Sequence, residues 1–151
     1  GSSALVEVHG RADRVRCTQL GCIDGAPGGS LPYRSEAYAD FLSNPRIEAL
    51  PRCSHCSSLL RPHVLWFDET YNEHNDYEFH RVIDMAERAS VVLFAGTSFS
   101  VGVTELVLQG ARMRLVPVYN IDPAAQSRIP GVKTIPMAAE EALPRLVTAL
   151  R

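Results

Sequence analysis

The sequence has no long hydrophobic run and no excess of charge of either sign. Its apolar stretches fall short of the ~20 residues that a membrane-spanning helix needs. Residues 1–4 show neither the positively charged segment nor the apolar segment of a secretion signal. Fifteen Lys and Arg residues stand against 17 Asp and Glu residues, a net charge of -2, which provides no broad field for binding nucleic acid or an anionic membrane. We therefore expect a cytoplasmic protein that binds neither membranes nor nucleic acid directly.

The sequence also lacks the glycine-rich motifs G-x-G-x-x-G and Walker A, so spacing alone identifies no standard phosphate-binding loop. The G-x-S-x-G motif of the α/β-hydrolases fails as well, because Ser100 takes the place of the second glycine after Gly96 and Ser98. These absences exclude a serine nucleophile of that type. There is no internal repeat, and no linker is long enough to separate independent domains.

The 151 residues, 46% of them hydrophobic and 21% charged, match the size and composition of one ordered globular domain. A short alternating strand is predicted at residues 5–9, and a loop-rich segment follows over residues 15–62. From residue 63 onward apolar strands alternate with amphipathic helices, which indicates an α/β fold with a parallel sheet. The predicted strands cover residues 63–67, 91–95, 115–119 and 132–135, and the predicted helices cover residues 74–88, 104–112 and a last segment with Leu143, Leu146, Val147 and Leu150 on one face. The strand at 91–95 is apolar on both faces, which is typical of the centre of a sheet.

Four cysteines form two close pairs, Cys17 with Cys22 and Cys53 with Cys56. Two turns that each carry such a pair can supply the four thiolates of a tetrahedral zinc site. Four thiolates leave no open coordination position, so such a site would be structural and would stabilise a segment with few apolar residues. Four unrelated buried thiols and a redox pair are the alternatives, and His55 is a further candidate ligand in place of a cysteine.

Small and polar residues follow two of the predicted strands. Gly96, Thr97 and Ser98 come directly after the strand at 91–95, where small residues let a nucleotide approach the backbone at the carboxyl end of a sheet. Asn120 and Asp122 follow the next strand and could hydrogen-bond ribose hydroxyls. The alternatives are an ordinary strand-to-helix turn at 96–98 and an Asx turn before Pro123.

Taken together, several motifs resemble those of the sirtuins, the NAD-dependent protein-lysine deacylases. The matching segments are residues 6–10 (VEVHG), 15–18 (VRCT), the pair Cys53 and Cys56, 60–67 (LRPHVLWF), 96–98 (GTS), 120–122 (NID) and 141–144 (EALP). Their order and spacing also fit, and the likeness covers nearly the whole chain. The resemblance implies a partial Rossmann-like NAD-binding domain over residues 1–13 and 63–151 and a small zinc-ribbon insert over residues 14–62, with NAD and Zn²⁺ as cofactors.

The resemblance also implies a catalytic role for His9, which matches the histidine of the family's E-L-H-G strand. In the implied mechanism the acyl oxygen of a modified lysine attacks C1′ of the nicotinamide ribose, and nicotinamide leaves. His9 then acts as a general base toward the ribose hydroxyls, so that the acyl group passes to the 2′-oxygen and leaves as O-acyl-ADP-ribose. Imidazole suits this task because it titrates near neutral pH.

The same resemblance assigns the binding residues. Gly96, Thr97 and Ser98 match the turn that contacts the NAD phosphates and ribose, Asn120 matches the adenosine-ribose asparagine, and Asp122 is a weaker candidate. An acyl-lysine protein or peptide would lie extended between residues 64–69 and 98–103 and add a strand by backbone hydrogen bonds. The implied substrate-binding residues are Val64, Phe67, Asp68, Glu69 and Val101.

The sequence departs from the family pattern at Asp68, which replaces the glycine of F-G-E, and at Val103, which stands where many members have proline. The family's N-terminal half, with its dinucleotide loop, does not precede His9. We therefore expect this chain alone to bind NAD poorly and to turn over little, and we expect its exposed sheet edge to favour association with the missing half or self-association. A non-catalytic zinc-containing binding module and a mono-ADP-ribosyltransferase are the alternative functions.

Overall fold

The computed structural model describes residues 4–124 and 129–150. The chain divides into two compact units, Gly1–Val82 (unit 1) and Ile83–Arg151 (unit 2). Each unit contains one three-stranded sheet, antiparallel in unit 1 and parallel in unit 2. The predicted α/β class with a parallel sheet is confirmed. The division into residues 1–13 with 63–151 and residues 14–62 stays a prediction.

The sheet of unit 1 consists of β1 (Gly10–Cys17), β2 (Leu31–Pro32) and β3 (Leu60–Val64), in the order β2-β1-β3. A short helix, α1 (Ala39–Ser43), and 3₁₀ turns at Ser35–Tyr38, Ile47–Ala49 and Asn75–Tyr77 complete the regular structure of the segment before α2 (Phe79–Arg88). Most of the segment between β2 and β3 is irregular, as its turn residues predict.

The predicted strand at residues 5–9 is wrong, because the strand begins only at Gly10. The Gly10 amide donates to the Glu7 carbonyl (2.8 Å), which closes a turn, and Gly10 then pairs with Val64 of β3. The first half of β1 is charged and exposed, with Arg11 bound to Glu7 and Asp13. Because these side chains are polar, the sequence pattern did not predict the strand, which is held in place by backbone hydrogen bonds.

Two further boundaries in unit 1 differ from the prediction. The strand predicted at residues 63–67 lies earlier, at Leu60–Val64, and pairs antiparallel with β1, because the chain turns away after Leu65. The helix predicted from His74 begins at Phe79. Residues before it form a 3₁₀ turn whose N-terminus is capped by the His74 side chain, and Glu78 then adopts a left-handed conformation (φ 44°) that interrupts the helix.

Unit 2 contains β4 (Val92–Ala95), α3 (Gly102–Met113), β5 (Val118–Ile121), β6 (Val132–Ile135) and α4 (Ala139–Ala149). β6 and the last helix agree with the prediction, and α3 extends the predicted helix by a few residues. The strand predicted at 115–119 is displaced to β5, because α3 is followed by a turn that extends to Val116, whose amide donates to the Ala111 carbonyl (2.9 Å).

The core of unit 2 forms where α3 packs on the sheet. One face of α3 carries apolar residues at helical spacing, namely Val103, Val107, Leu108 and Ala111. Two of them belong to the buried cluster, which consists of Val92, Phe94, Leu108, Ala111 and Val118.

The central position predicted for β4 is wrong for the described residues: the order is β4-β5-β6, and Leu93 is 40% exposed. Only the α3 side of β4 is covered by this core.

No helix in residues 4–124 and 129–150 combines the length and the apolar character needed to cross a membrane.

Gly10 is a position where the fold of unit 1 requires glycine. Its φ is +78°, and a Cβ there would lie 2.2 Å from the His63 carbonyl oxygen. We expect Gly10→Ala to lower the free energy of unfolding by about 2 kcal/mol or more, because the left-handed conformation alone costs roughly 1–2 kcal/mol and the clash involves backbone. Urea denaturation measures this change.

Gly110→Ala is the matched control, because a Cβ at this position in α3 meets no atom within 4 Å beyond its chain neighbours and the backbone of its own helix. Alanine should raise the free energy of unfolding by about 0.5–1 kcal/mol through its helix propensity. Equal effects of the two substitutions would contradict the proposed close approach at Gly10.

Candidate functional site

The four cysteines converge in unit 1. All four Sγ atoms lie within 4.8 Å of one another, with Cys17 Sγ 3.4 Å from Cys56 Sγ and Cys22 Sγ 3.6 Å from Cys53 Sγ. The cysteines are free thiols, since a disulfide would bring two sulfurs to about 2.05 Å. A tetrahedral zinc ion with Zn–S bonds of about 2.3 Å separates its sulfur ligands by about 3.8 Å. The cluster therefore fits a four-thiolate metal site with only small movements.

Backbone amides support the sulfurs. The Gln19 amide donates to Cys17 Sγ (3.3 Å) and the His55 amide to Cys53 Sγ (3.4 Å), so each pair lies on a turn that also directs N–H groups toward a thiolate. Burial raises the pKa of the Cys17 thiol to about 12, whereas hydrogen bonds from Ser58 lower the pKa of Cys56 to about 6. The half-exposed His55 ring points toward Asp24, with Nε2 3.3 Å from Oδ2.

His9, the predicted general base, lies on the exposed turn that precedes β1. Its Nε2 is 3.1 Å from the hydroxyl of Tyr71, and the two rings are 5.5 Å apart. Its carbonyl oxygen accepts the Leu65 amide (2.9 Å), which fixes the backbone of the turn to the end of β3. The imidazole is thus positioned by a backbone contact on one side and a tyrosine on the other.

Tyr71 is a site residue that the sequence motifs did not reveal. Its ring stacks on Phe79 with centroids 4.8 Å apart, which sets the direction of its hydroxyl toward His9. The only sequence signal is a tyrosine shortly after the F-D-E segment, and nothing in that spacing indicates contact with a residue 62 positions earlier.

Residues 66–69, which we call the 66–69 loop, contain most of the predicted substrate-binding residues. The Trp66 amide donates to Glu69 Oε2 (2.9 Å), and the Glu69 amide donates to the Trp66 carbonyl (3.1 Å). These two bonds close the loop, and Phe67 and Asp68 are exposed at its tip. Val64 is the partly buried last residue of β3.

The carboxylate of Glu69 is held by two arginines. Arg16 Nη2 donates to Oε1 (2.6 Å), and Arg61 Nη2 donates to the same oxygen. The three side chains are 5%, 10% and 16% exposed for Arg16, Arg61 and Glu69. Arg61 also lies over the Trp66 ring, 4.1 Å from its centroid. Glu69 therefore anchors the loop, and its predicted contact with substrate stays a prediction.

In unit 2, residues 96–98 form a turn at the carboxyl end of β4, which we call the 96–98 turn. Gly96 is exposed with φ +63°, and the space where its Cβ would lie is open. Thr97 Oγ1 accepts the Phe99 amide (3.1 Å), and Phe99, itself left-handed (φ 61°), packs its ring on Phe94 with centroids 4.8 Å apart. The packing of Phe99 on the core thus holds the 96–98 turn in place, while the backbone of the turn at Gly96 faces solvent.

The N-terminus of α3 follows this turn. Val101 precedes the helix in an extended conformation, and its carbonyl accepts the Thr104 hydroxyl (2.7 Å). The side chain of Val101 makes no capping hydrogen bond, and the start of a helix carries a partial positive charge that favours anions. Val103, which stands at the family's proline position, is buried in the first turn.

Asn120 and Asp122 lie at the same sheet edge, because β5 runs parallel to β4 and Phe94 pairs with Asn120. The Asn120 side chain is fully buried, so contact with a ribose would require it to be uncovered. Asp122 Oδ1 accepts the Ala124 amide (3.0 Å), which is the Asx turn that the sequence offered as an alternative. The ribose contacts of both residues stay predictions.

Comparison with known proteins assigns the family. The profile of the Sir2 family matches residues 1–103, a range that includes His9, the cysteine cluster and the 96–98 turn. This chain belongs to the Sir2 family. The predicted resemblance to the sirtuins is confirmed.

Curated relatives are named as NAD-dependent enzymes. The chain is 32% identical over 150 residues to the NAD-dependent deacetylase sir2E of Dictyostelium discoideum, covering 94% of this chain and 43% of that protein. It is 33% identical over 159 residues to an NAD-dependent protein deacylase of Pyrococcus furiosus, covering 100% of this chain and 56% of that protein. The chain thus spans about half the length of these relatives.

Solved structures show the same fold. A crystal structure of a Sir2 homologue in complex with NAD matches with a TM-score of 0.73 at 29% identity, covering 100% of this chain and 52% of that one. A mutant Sir2 homologue bound to ADP-ribose matches with a TM-score of 0.75 at 30% identity, covering 100% and 54%. The chain therefore has the mixed α/β, partial Rossmann-like fold of Sir2 proteins.

The contacts of Glu69 with two arginines predict that a small change of this side chain strongly lowers the free energy of unfolding. Glu69→Gln keeps the shape but removes the charge, which leaves Arg16 and Arg61 buried without a counter-ion. We expect a loss of about 3 kcal/mol in the free energy of unfolding, measured by urea denaturation.

Asp40→Asn provides the control, because Asp40 pairs with Arg46 (3.1 Å) at the surface. Exposed pairs contribute little, so the change should stay below about 0.5 kcal/mol. A Glu69→Gln variant as stable as the Asp40→Asn variant would show that Glu69 does not anchor the loop.

Proposed function

We propose that the protein removes acyl groups from protein lysines in an NAD-dependent reaction that yields nicotinamide and O-acyl-ADP-ribose. The observation that carries this proposal is the Sir2 family match over residues 1–103, which spans both His9 and the 96–98 turn. The names of the relatives, an NAD-dependent deacetylase and an NAD-dependent protein deacylase, support the same reaction.

His9 is the proposed general base. The exposed imidazole has its Nε2 within hydrogen-bond distance of the Tyr71 hydroxyl. If a ribose hydroxyl takes the place of the Tyr71 hydroxyl, Nε2 can accept its proton. Tyr71 is the proposed positioning residue before substrate binds, since its hydroxyl contacts Nε2 and its ring is fixed by Phe79 until the ribose hydroxyl takes that place. The backbone contact between His9 and Leu65 keeps the imidazole in place during the proton transfer.

NAD fits the sheet edge of unit 2. When bound, NAD supplies the electrophilic C1′ carbon and the ribose hydroxyl that receives the acyl group. Gly96 offers an exposed backbone with open space at its Cβ position, and the N-terminus of α3 contributes the partial positive charge of a helix start, which suits phosphate oxygens. These features support the assignment of Gly96, Thr97 and Ser98 to the nucleotide.

The acyl-lysine substrate is proposed to bind along the 66–69 loop and residues 98–103. Phe67 and Asp68 are exposed at the tip of a loop that Glu69 holds in shape. Rigid loops with exposed residues suit peptide binding because little conformational entropy is lost. Val64 and Val101 are the proposed apolar contacts for the acyl-lysine stem, on the basis of their family positions.

We further propose that the cysteine cluster binds one structural zinc ion. Four sulfurs within 4.8 Å of one another match the donor set and approximate spacing of a closed tetrahedral site. The ion would join the turn after β1 to the turn before β3 and stabilise a segment with little regular structure.

His9→Ala tests the deacylase proposal. The protein is expressed with any flanking sequence that its gene encodes, and nicotinamide release and O-acyl-ADP-ribose are measured by mass spectrometry with an acetyl-lysine peptide. We expect turnover to fall by at least about 100-fold, as for loss of a general base. His80→Ala, which removes an exposed histidine of α2, should leave turnover unchanged.

Turnover of the His9→Ala variant within threefold of the unmodified protein would remove His9 from the mechanism. The mass of the peptide separates the two NAD reactions. Deacylation removes the acyl mass from the peptide, whereas ADP-ribosyl transfer would add the mass of ADP-ribose to an acceptor and leave the acyl group in place.

Cys53→Ser tests the zinc proposal. Because four thiolates hold the ion, loss of one should remove about one equivalent of zinc, measured by elemental analysis, and lower the Tm by about 10 °C or more. His55→Gln is the control, since the His55 ring contacts Asp24 and His55 is not a member of the four-sulfur cluster. Zinc loss in the His55→Gln variant, or a Cys53→Ser variant that retains its zinc, would contradict a four-cysteine site.

A further inference from the structure

A second cluster of metal-ligating side chains lies in unit 1, formed by His63, His74 and Asp76, which we call the His–Asp cluster. One ligand atom from each residue lies within 4.8 Å of the others. None of these residues belongs to the cysteine cluster, and the proposed deacylation uses none of them. The cluster joins β3 to the 3₁₀ turn at Asn75–Tyr77.

His74 has the hydrogen bonding of a metal ligand. Its Nε2 lies 2.9 Å from the Gly29 carbonyl oxygen, and a carbonyl can only accept, so the proton is on Nε2. Nδ1 therefore carries a lone pair, which accepts the Asp76 amide (3.1 Å). Histidine ligands commonly donate their second ring N–H to a backbone carbonyl in this way, which fixes the tautomer. A bound ion would replace the Asp76 amide at Nδ1.

His63 is the independent observation that points to a missing ligand. Its side chain is 1% exposed, and neither ring nitrogen forms a hydrogen bond, although Nε2 lies 3.5 Å from the Asp76 carboxylate. A buried imidazole without hydrogen bonds lowers the stability of the fold. Its N–H donor and its lone pair both lose their hydrogen bonds to water on folding, and nothing replaces them. The Tyr77 ring stacks on the imidazole with centroids 5.3 Å apart, so packing prevents it from turning to solvent.

The distances suit a small cation. His63 Nε2 is 3.5 Å from Asp76 Oδ2, and His74 Nδ1 is 3.9 Å from the same oxygen. Two ligands bonded tetrahedrally to one ion at about 2.0–2.1 Å are separated by about 3.4 Å. The first separation matches that value, and the second requires a movement of about half an ångström together with displacement of the Asp76 amide from Nδ1.

The surroundings leave room for a further ligand. A cavity of about 390 Å³ adjoins the cluster, lined by His63 and Asp76 and by the carboxylates Glu7 and Glu78, which pair with Arg11 and Arg81; Arg11 also lines the cavity. Arg14 also lines the cavity, but it donates to the hydroxyl and carbonyl oxygens of Ser30. Ser30 Oγ in turn donates to Asp76 Oδ2 (2.6 Å), which orients the carboxylate.

We propose that His63, His74 and Asp76 bind a divalent transition-metal ion, with an open coordination position that faces the cavity. Two imidazoles and one carboxylate prefer ions such as Zn²⁺, Co²⁺ or Ni²⁺ to Mg²⁺ or Ca²⁺, which favour oxygen ligands. The site holds its ion more weakly than the cysteine cluster, because it offers three ligands and no thiolate. It is independent of the deacylase proposal.

Cobalt titration of the metal-depleted protein tests this site, because the two clusters give different spectra. Co²⁺ in the cysteine cluster produces sulfur-to-cobalt charge-transfer absorption, whereas Co²⁺ bound by nitrogen and oxygen does not. We expect a first equivalent with that absorption and a second, weaker equivalent without it. Asp76→Asn should weaken the second equivalent at least tenfold and leave the first unchanged.

Asp84→Asn is the matched control, since Asp84 is exposed on α2 and pairs only weakly with Arg88 (3.9 Å). It should leave both equivalents intact. Circular dichroism checks that each variant is folded. Binding of a single equivalent by the unmodified protein, or a second equivalent that Asp76→Asn does not weaken, would overturn the proposal.

Discussion

The carboxylate of Glu69 holds together the part of unit 1 that we propose binds the substrate. It accepts hydrogen bonds from Arg16 in β1, from Arg61 in β3 and from the Trp66 amide of its own loop. Because the three charged side chains are largely buried, removing one leaves a charge that water cannot solvate. The interaction therefore couples the pairing of β1 with β3 to the shape of the loop that exposes Phe67.

The proposed reactive groups lie on turns beside strands and not within them. His9 precedes β1, and its carbonyl oxygen accepts the Leu65 amide where β3 has ended. Gly96 follows β4, and Phe99 fixes the same turn by packing on Phe94. In each unit a left-handed residue turns the chain while the adjacent strand keeps its hydrogen bonds. Such turns expose a side chain or backbone amide without loss of position, as binding and catalysis require.

Local patterns predicted unit 2 better than unit 1. β6 lies at the predicted residues, and α3 buries the apolar face that its spacing indicates. In unit 1 the alternation at residues 5–9 suggested a strand, yet the strand begins at Gly10 and runs through Arg11 and Asp13. Polar side chains reveal exposure but not strand pairing, because the backbone makes the hydrogen bonds between strands.

The sequence by itself determined the ligand chemistry of this protein: paired cysteines, a histidine beside a glycine, and a small-residue turn after an apolar strand. Each of these is set by residues that are neighbours in the chain. Only the tertiary structure decided that Glu69 binds an arginine 53 positions away and that His63 and His74 meet Asp76. These contacts form when β1 pairs with β3 and distant turns pack on them, so a buried charge or imidazole acquires its role from long-range surroundings that sequence spacing does not encode.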